Sequence, residues 1–496
     1  MFVCGILAIM QGCTTNQSIA ELPQSPNVLL IVIDTLRADY LAPYGAPEEI
    51  APNLNRWATE SVVFTKHYAT SSWTRPGFAT ILTGLYPSEA GIYEEKFDRL
   101  PEEIETLPER MSGAGYSTFA INSNPNIDPY FGFDQGFQSF QEAGVRFMWM
   151  GEGTEAENEQ IAEPFVPAEG ITESALLQLQ KQQEPWFGML VYIDPHMPYA
   201  PLLIDEKAVA SIPSHYHPEY AAEVHHADRE IGRLLNALQK QGRLENTYVV
   251  ITSDHGEGLW SHPGVPDTFE HGTQLYDSMN HVPLMVWHRD IPAKEIPNIT
   301  SSISLFPTLL SLVGIDDANN PKRPSLQEAL LTGKQDNIPK YAFSQTHWQR
   351  MNKRSVRAEN GRYIYSQDAY DFQIEHRFEK SLPLKRQYLL EGPYEEFYGN
   401  PTCWISVLCW EKYKEAWSDN QLERLDPNLP SILKDWHTEL EHREPLHRDP
   451  EDGYSSFVWS GTTMVDVVFH PRQSLEKVPP ISEKMKSQLE QLGYME

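Results

Sequence analysis

Residues 27–34 read NVLLIVID, in which Val28 to Ile33 form an unbroken apolar run closed by a carboxylate. No polar residue alternates within it, so it suits a strand buried on both faces of a largely parallel sheet. Three more segments repeat the design: Thr118 to Ile121 before Asn122, Gly188 to Ile193 before Asp194, and Tyr248 to Ser253 before Asp254. Open α/β sheets bind ligands at the carboxyl ends of their strands. Asp34, Asp194 and Asp254 are therefore expected along one rim.

Helical patterns separate these runs. Phe78, Ile81, Leu82 and Leu85 keep i, i+3, i+4, i+7 spacing, with Thr74 as N-cap candidate, Pro76 in the first turn and Gly84 near the end. A second pattern runs from Tyr220 to Gln241 and stops at Gly242, and a third from Ile303 to Val313. Residues 141 to 172 are rich in Glu and Gly without periodicity and read as a surface insertion. Beyond a polar stretch, residues 355 to 366 read as a hairpin turning at Asn360-Gly361, and Ser482 to Leu492 as a terminal helix. The expected organisation is a tether over 1–26, an α/β domain over 27–315 built on a mostly parallel sheet flanked by helices, a linker over 316–340, and a smaller α+β domain over 341–496.

The 496 residues carry 39 Lys and Arg against 69 Asp and Glu, a net charge of −30. Such a field opposes any sequence-independent grip on nucleic acid, and none is expected as a partner. Anion chemistry would have to rely on local positive charge from a metal, an Arg or a helix N-terminus. MFVCGILAIM at the N-terminus is too short to span a bilayer. It resembles the apolar part of a secretion signal that ends at Cys13, the residue acylated in bacterial lipoproteins. The expectation is an exported protein, periplasmic or in the cell envelope, with membrane attachment through an acylated Cys13. In an oxidising compartment Cys403 and Cys409 could pair; two buried thiols are the alternative.

Asp34, Asp254 and His255 are metal-ligand types placed where strands end. A single Asp there is usually a turn former, but Ser-Asp-His-Gly-Glu-Gly at 253–258 sets two glycines behind two consecutive ligand side chains. An arbitrary Thr before a Pro-containing first turn is more often a plain N-cap; the functional reading of Thr74 uses the same geometry, a hydroxyl at a helix N-terminus that supports a bound anion. Metal coordination lowers the pKa of water from about 16 to about 7 in the best zinc sites. That far exceeds the helix dipole's contribution of at most about 2 kcal/mol. The donor types favour manganese or zinc, with calcium or magnesium as alternatives.

NVLLIVIDTLRADYLAPYG (27–45), APNLNRWA (51–58), TRPGFATILTGLYPSEAG (74–91), GFDQGF (132–137), DPHMPYAP (194–201), TSDHGEG (252–258), EHGTQLYD (270–277) and VPLMVW (282–287) together resemble the sulfatase family of the alkaline phosphatase superfamily. The resemblance implies an α/β fold with a divalent cation beside a nucleophile. It makes Asp34, Asp254 and His255 metal ligands, Thr74 both nucleophile and ligand, and His196 and His271 residues facing the transferred group or a second ion. Asn124 would line the pocket and Arg75 would bind substrate. The family's sulfatases carry Cys or Ser, matured to formylglycine, in a Cys/Ser-x-Pro-x-Arg pattern. Here that pattern is Thr74-Arg75-Pro76-Gly77-Phe78, and Thr35 stands where many members have a second Asp. Thr cannot become formylglycine, so the departures point toward phosphoryl chemistry.

The leading expectation is a metal-dependent hydrolase of phosphate, phosphonate or sulfate esters, acting on a small molecule or a glycan. A transferase passing the group from Thr74 to a glycan or lipid hydroxyl is the alternative enzyme. A non-catalytic cell-surface binding protein on a degenerate fold is the alternative of another class, and the retained Asp34, Asp254 and His255 argue against it.

Overall fold

The computed structural model describes residues 25–92, 98–142, 167–197, 199, 212–213, 216–259, 271–317, 323–348, 351–358, 361–367, 387–391, 455–460 and 463–468. Cys13, Cys403, Cys409 and the expected terminal helix at 482–492 lie outside them. No helix among the described residues is long and apolar enough to cross a membrane.

All four apolar runs form strands: β1 (Asn27–Ile33), β3 (Ser117–Asn122), β5 (Trp186–Tyr192) and β6 (Thr247–Thr252). Together with β2 (Val62–Tyr68), β4 (Ser139–Glu142), β7 (Leu284–Trp287) and β8 (Lys294–Ser301) they make an eight-stranded sheet in the order β4-β3-β5-β1-β6-β7-β2-β8. Only β7 runs against its neighbours; the other pairings are parallel. The in-register pairs Val32↔Val191 and Val32↔Thr252 bring the carboxyl ends of β5, β1 and β6 to one level.

β1 shows why its sequence lacks alternation. Val28, Leu30 and Val32 enter the core on one face of the sheet, and Leu29, Ile31 and Ile33 enter the core on the other. The first core also takes Phe78, Ile81 and Leu82 of α2 (Thr74–Thr83), with Leu107 and Met111 of α3 (Leu107–Gly113). The second takes Leu54 and Trp57 of α1 (Pro52–Ala58), Ile171 and Leu179 of α4 (Pro167–Lys181), and Ile231, Leu234 and Leu238 of α5 (Pro218–Lys240). Leu305, Leu309 and Leu310 of α6 (Leu305–Leu312) return to the first. The fold is thus a mostly parallel sheet between two helical layers.

Several local expectations change. Thr74 is the first helical residue of α2, and extended Trp73 is the N-cap, with no side-chain capping bond. Gly84 does end the helix, in the left-handed conformation at φ 63°. The expected insertion over 141–172 overlaps the start of α4, where only Ala168 and Ile171 of its buried apolar positions fall, too few to show a helical period; Ala175 and Leu179 lie beyond that window. Strand β8 escapes pattern reading because it is a polar edge strand with Pro297, and the pairing shifts register there between Phe64↔Ile296 and Lys66↔Ile299. Within the polar 316–340 stretch, Gln327–Thr332 is helical, and Leu326 and Leu330 join the first core.

The C-terminal region holds a second, antiparallel sheet in the order β12-β11-β10-β9, from β9 (Ala342–Trp348), β10 (Met351–Ala358), β11 (Gly361–Gln367) and β12 (Gln387–Glu391). The hairpin is present, but Gly361 pairs with Ala358 as the first residue of the returning strand instead of occupying the turn. β13 (Ser455–Ser460) and β14 (Thr463–Val468) pair separately.

Candidate active site

Asp34 follows the last residue of β1, and its N–H donates to Tyr192 O across the sheet (2.8 Å). The next residue, Thr35, sits in the left-handed region at φ 58°, an uncommon conformation for a β-branched residue. Its hydroxyl donates to Asp34 O (2.7 Å), and its own carbonyl accepts from the Tyr220 hydroxyl (2.7 Å). The chain turns sharply and leaves the Asp34 carboxylate wholly buried at the rim.

Asp254 and His255 leave the end of β6 in the same way. Ser253 Oγ donates to His255 O (2.6 Å), and the His255 N–H donates to Asp254 Oδ1 (2.9 Å). A Cβ on Gly256 would stand 2.1 Å from Ser278 O, so only glycine lets this loop lie against its neighbour. Arg37 reinforces the loop by donating to Glu257 O (3.2 Å) and Gly258 O (3.3 Å).

His255 Nδ1 lies 2.8 Å from Gly256 O. A carbonyl accepts only, so Nδ1 carries the proton and Nε2 presents a lone pair. That Nε2 stands 3.5 Å from Asp34 Oδ1 and 3.4 Å from Asp254 Oδ2. Neither oxygen has a hydrogen-bond partner, and all three residues are fully buried. Three acceptors facing one another in a dry interior are unfavourable unless a cation lies among them. The group thus fits a divalent ion, and one nitrogen with two carboxylates suits zinc or manganese.

Thr74 joins this group from α2, with Oγ1 3.3 Å from His255 Nε2. A Cβ on Gly77 would fall 2.8 Å from Asp254 O, so glycine lets the helix carrying Thr74 press against the ligand loop. Burial raises the Asp34 carboxyl to about 7, with the His271 charge and the Asn124 bond pulling the other way. Burial and the neighbouring Asp34 push Asp254 well above the carboxylate range. Burial, aided by His271, holds His255 well below the ordinary imidazole value and thus neutral.

The two remaining histidines line the same place. The His271 ring centroid is 4.6 Å from that of His255 and 4.8 Å from that of His196. His196 Nδ1 bonds Met197 O, and burial together with His271 lowers its pKa to about 4. Sequence reading missed Glu257, although it lies inside the motif quoted around Asp254. Its carboxylate is 3.2 and 3.3 Å from His271 Nδ1. Burial alone would raise Glu257, but His271, by charge and hydrogen bond, and His196 bring it below the ordinary value.

Two expected residues take other places. Asn124 Nδ2 donates to Asp34 Oδ2, so Asn124 orients one of the two carboxylates that face His255. Arg75 is buried, with its guanidinium 4.2 Å from the Phe131 ring and 5.3 Å from that of Trp73, and it donates to Asp98 O (3.4 Å). Thr35 turns its hydroxyl onto its own neighbour's carbonyl. Asp194 bonds His226 and stands apart from the Asp34 ligand group.

The sulfatase family model matches residues 26–315, more than half of the chain and all of the rim described above. The chain belongs to the sulfatase family. N-acetylgalactosamine-6-sulfatase of Sus scrofa is 27% identical over 340 residues, covering 59% of this chain and 63% of the relative. The match thus spans a little under two thirds of that relative's length. A phosphonate monoester hydrolase from Silicibacter pomeroyi superposes with a TM-score of 0.62 at 18% identity, over 84% of this chain and 96% of that one. A protein solved with its substrate D-glucosamine-2-N,6-O-disulfate gives 0.63 at 18% identity, over 86% and 100%. At such identities the two structures share the fold with this sulfatase-family chain, and its chemistry has to be argued from its own residues.

Proposed function

We propose that this chain is a metal-dependent hydrolase of phosphate, phosphonate or sulfate esters carried by a small molecule or a glycan, with Thr74 as the nucleophile. The observation that carries the reading is the Thr74 hydroxyl at the start of α2, 3.3 Å from a bare imidazole nitrogen that faces two unpaired carboxylate oxygens. Asp34, Asp254 and His255, with Thr74, would hold the ion. When bound, a divalent ion supplies positive charge that favours an ionised oxygen and offsets the charge of the transferred group.

Thr74 Oγ1, in the ionised form that the positive charge favours, attacks the phosphorus or sulfur centre and becomes esterified as the bond to the leaving oxygen breaks. The N-terminus of α2 favours the anion there. His271, backed by the Glu257 carboxylate, is assigned as proton donor to the leaving oxygen, and His196 supports the transferred oxygens. Water then attacks the transferred centre, passing a proton to the now neutral His271, and the bond to Thr74 Oγ1 breaks to return the ionised oxygen.

The names of the relatives support both sulfate and phosphonate esters as substrate classes. Thr74 favours phosphorus. The formylglycine hydrate has a second hydroxyl that can expel sulfate without attack at sulfur, whereas threonine has one oxygen and needs attack by water at the transferred centre. The lipoprotein-like start supports a cell-envelope location.

The test pairs metal analysis with a screen of matched aryl phosphate, phosphonate and sulfate esters. Phosphorus esters should turn over faster, and Thr74→Ala should lose at least about 10³-fold in kcat. Faster hydrolysis of the sulfate would sink the phosphorus preference, and undiminished turnover by Thr74→Ala would sink the nucleophile.

A further inference from the structure

A second group of ligating side chains lies where β5 gives way to the loop that carries His196. Asp194 opens that loop, and Glu223 and His226 stand one turn apart on α5. Each offers a ligand atom, and these lie within 4.8 Å of one another. All three residues are buried, and the Asp194 side chain is wholly inaccessible.

The hydrogen bonds within the group leave it incomplete. Asp194 Oδ1 takes both contacts, His226 Nδ1 at 2.8 Å and the Ala168 N–H at 3.3 Å. Asp194 Oδ2 and His226 Nε2, both enclosed, have no hydrogen-bond partner. Asp194 and His226 thus each keep one buried polar atom that a cation could satisfy.

We propose that Asp194, Glu223 and His226 hold a second divalent cation, of the zinc or manganese class that a nitrogen and carboxylate donor set prefers. The ion would tie α5 to the end of β5, and through the Asp194 contact to the N-terminus of α4. It would thereby fix the two-residue step from Asp194 to His196. Its role is positional, and the assignment stands on these three residues independently of the ester-hydrolase reading.

The test counts zinc bound per chain after the full-length protein is stripped with a chelator, reloaded with zinc alone and freed of excess. The wild type should hold two ions. The pair Asp34→Asn and Asp254→Asn should leave one, and adding Glu223→Gln with His226→Asn should leave none. The proposal is overturned if the first pair already abolishes binding, or if zinc persists after all four exchanges. Should the combined variants fold poorly by circular dichroism, Glu223→Gln alone decides. It should lower the count from two to one, and a wild-type count of one that Glu223→Gln leaves at one refutes the site.

Discussion

Asn124 shows how a neighbouring amide sets a buried carboxylate. Asp34 has one oxygen held by Asn124 Nδ2 and the other turned to His255, so the amide decides which lone pair faces the centre. Loss of such outer partners typically costs about 10- to 100-fold in metal affinity. Asn124→Ala should weaken zinc binding by that range in competition with a chromogenic chelator, with the fold retained. Unchanged affinity would show that Asp34 is oriented without it. The ligand types themselves were visible in the sequence, as was the oddity of Thr74. The role of Asn124 was not, because a residue two positions past a strand end has no pattern that says which carboxylate it meets. Glu257 escaped for the same reason: its partner His271 lies fourteen positions away.

Between elements, the decisive contact is α2 against the loop after β6. Gly77 permits it, and Gly77→Ala would drive a methyl into Asp254 O and Cβ at 2.8 and 3.2 Å. Misplacement of a reacting group by about 1 Å can cost about 10²-fold. Gly77→Ala should therefore lower kcat by about 10- to 100-fold with a native circular dichroism spectrum; an unaltered kcat would mean the helix and loop move together. The β2–β8 edge offers a test of a different kind. His67 Nδ1 is 2.9 Å from Thr300 Oγ1 and Nε2 3.3 Å from Ser302 Oγ, and burial lowers its pKa to about 3. The unfolded chain takes up a proton at His67 below about pH 6.5, and the folded chain does not until about 3. Stability from this residue is complete above pH 6.5 and is lost as pH falls across that window. The pH slope of unfolding free energy in His67→Gln should be shallower by about 1.4 kcal/mol per pH unit, one proton's worth, between pH 6 and 4. Identical slopes would mean that His67 charges in the folded state.

Across the whole molecule, stability rests on a sheet covered on both faces. Leu30 is fully buried at the middle of β1, itself the strand between β5 and β6. Leu30→Ala removes side-chain volume from the core shared with α2 and α6, and such changes cost about 2–5 kcal/mol. Denaturant unfolding monitored by tryptophan fluorescence should show a loss in that range, and a loss below about 1 kcal/mol would mean the core closes around the gap. The same layering keeps the Asp34 group dry: the rim residues Asp34, Thr74, Asp254 and His255 have no exposed surface.

The sequence by itself determined the four central strands, the rim on which their carboxyl ends meet, the α/β class and the Asp and His residues that gather at that rim. Strands buried on both faces need continuous apolar runs, and ligands at strand ends need polar residues immediately after them, so both leave local marks. The tertiary structure decided what local pattern cannot carry. It placed the polar edge strand β8, made Thr74 a first helical residue under an extended Trp73, and turned Arg75 onto Phe131 and Trp73. It also paired Glu257 with His271 and Asp194 with His226, because those contacts join residues fourteen and thirty-two positions apart that no local pattern relates.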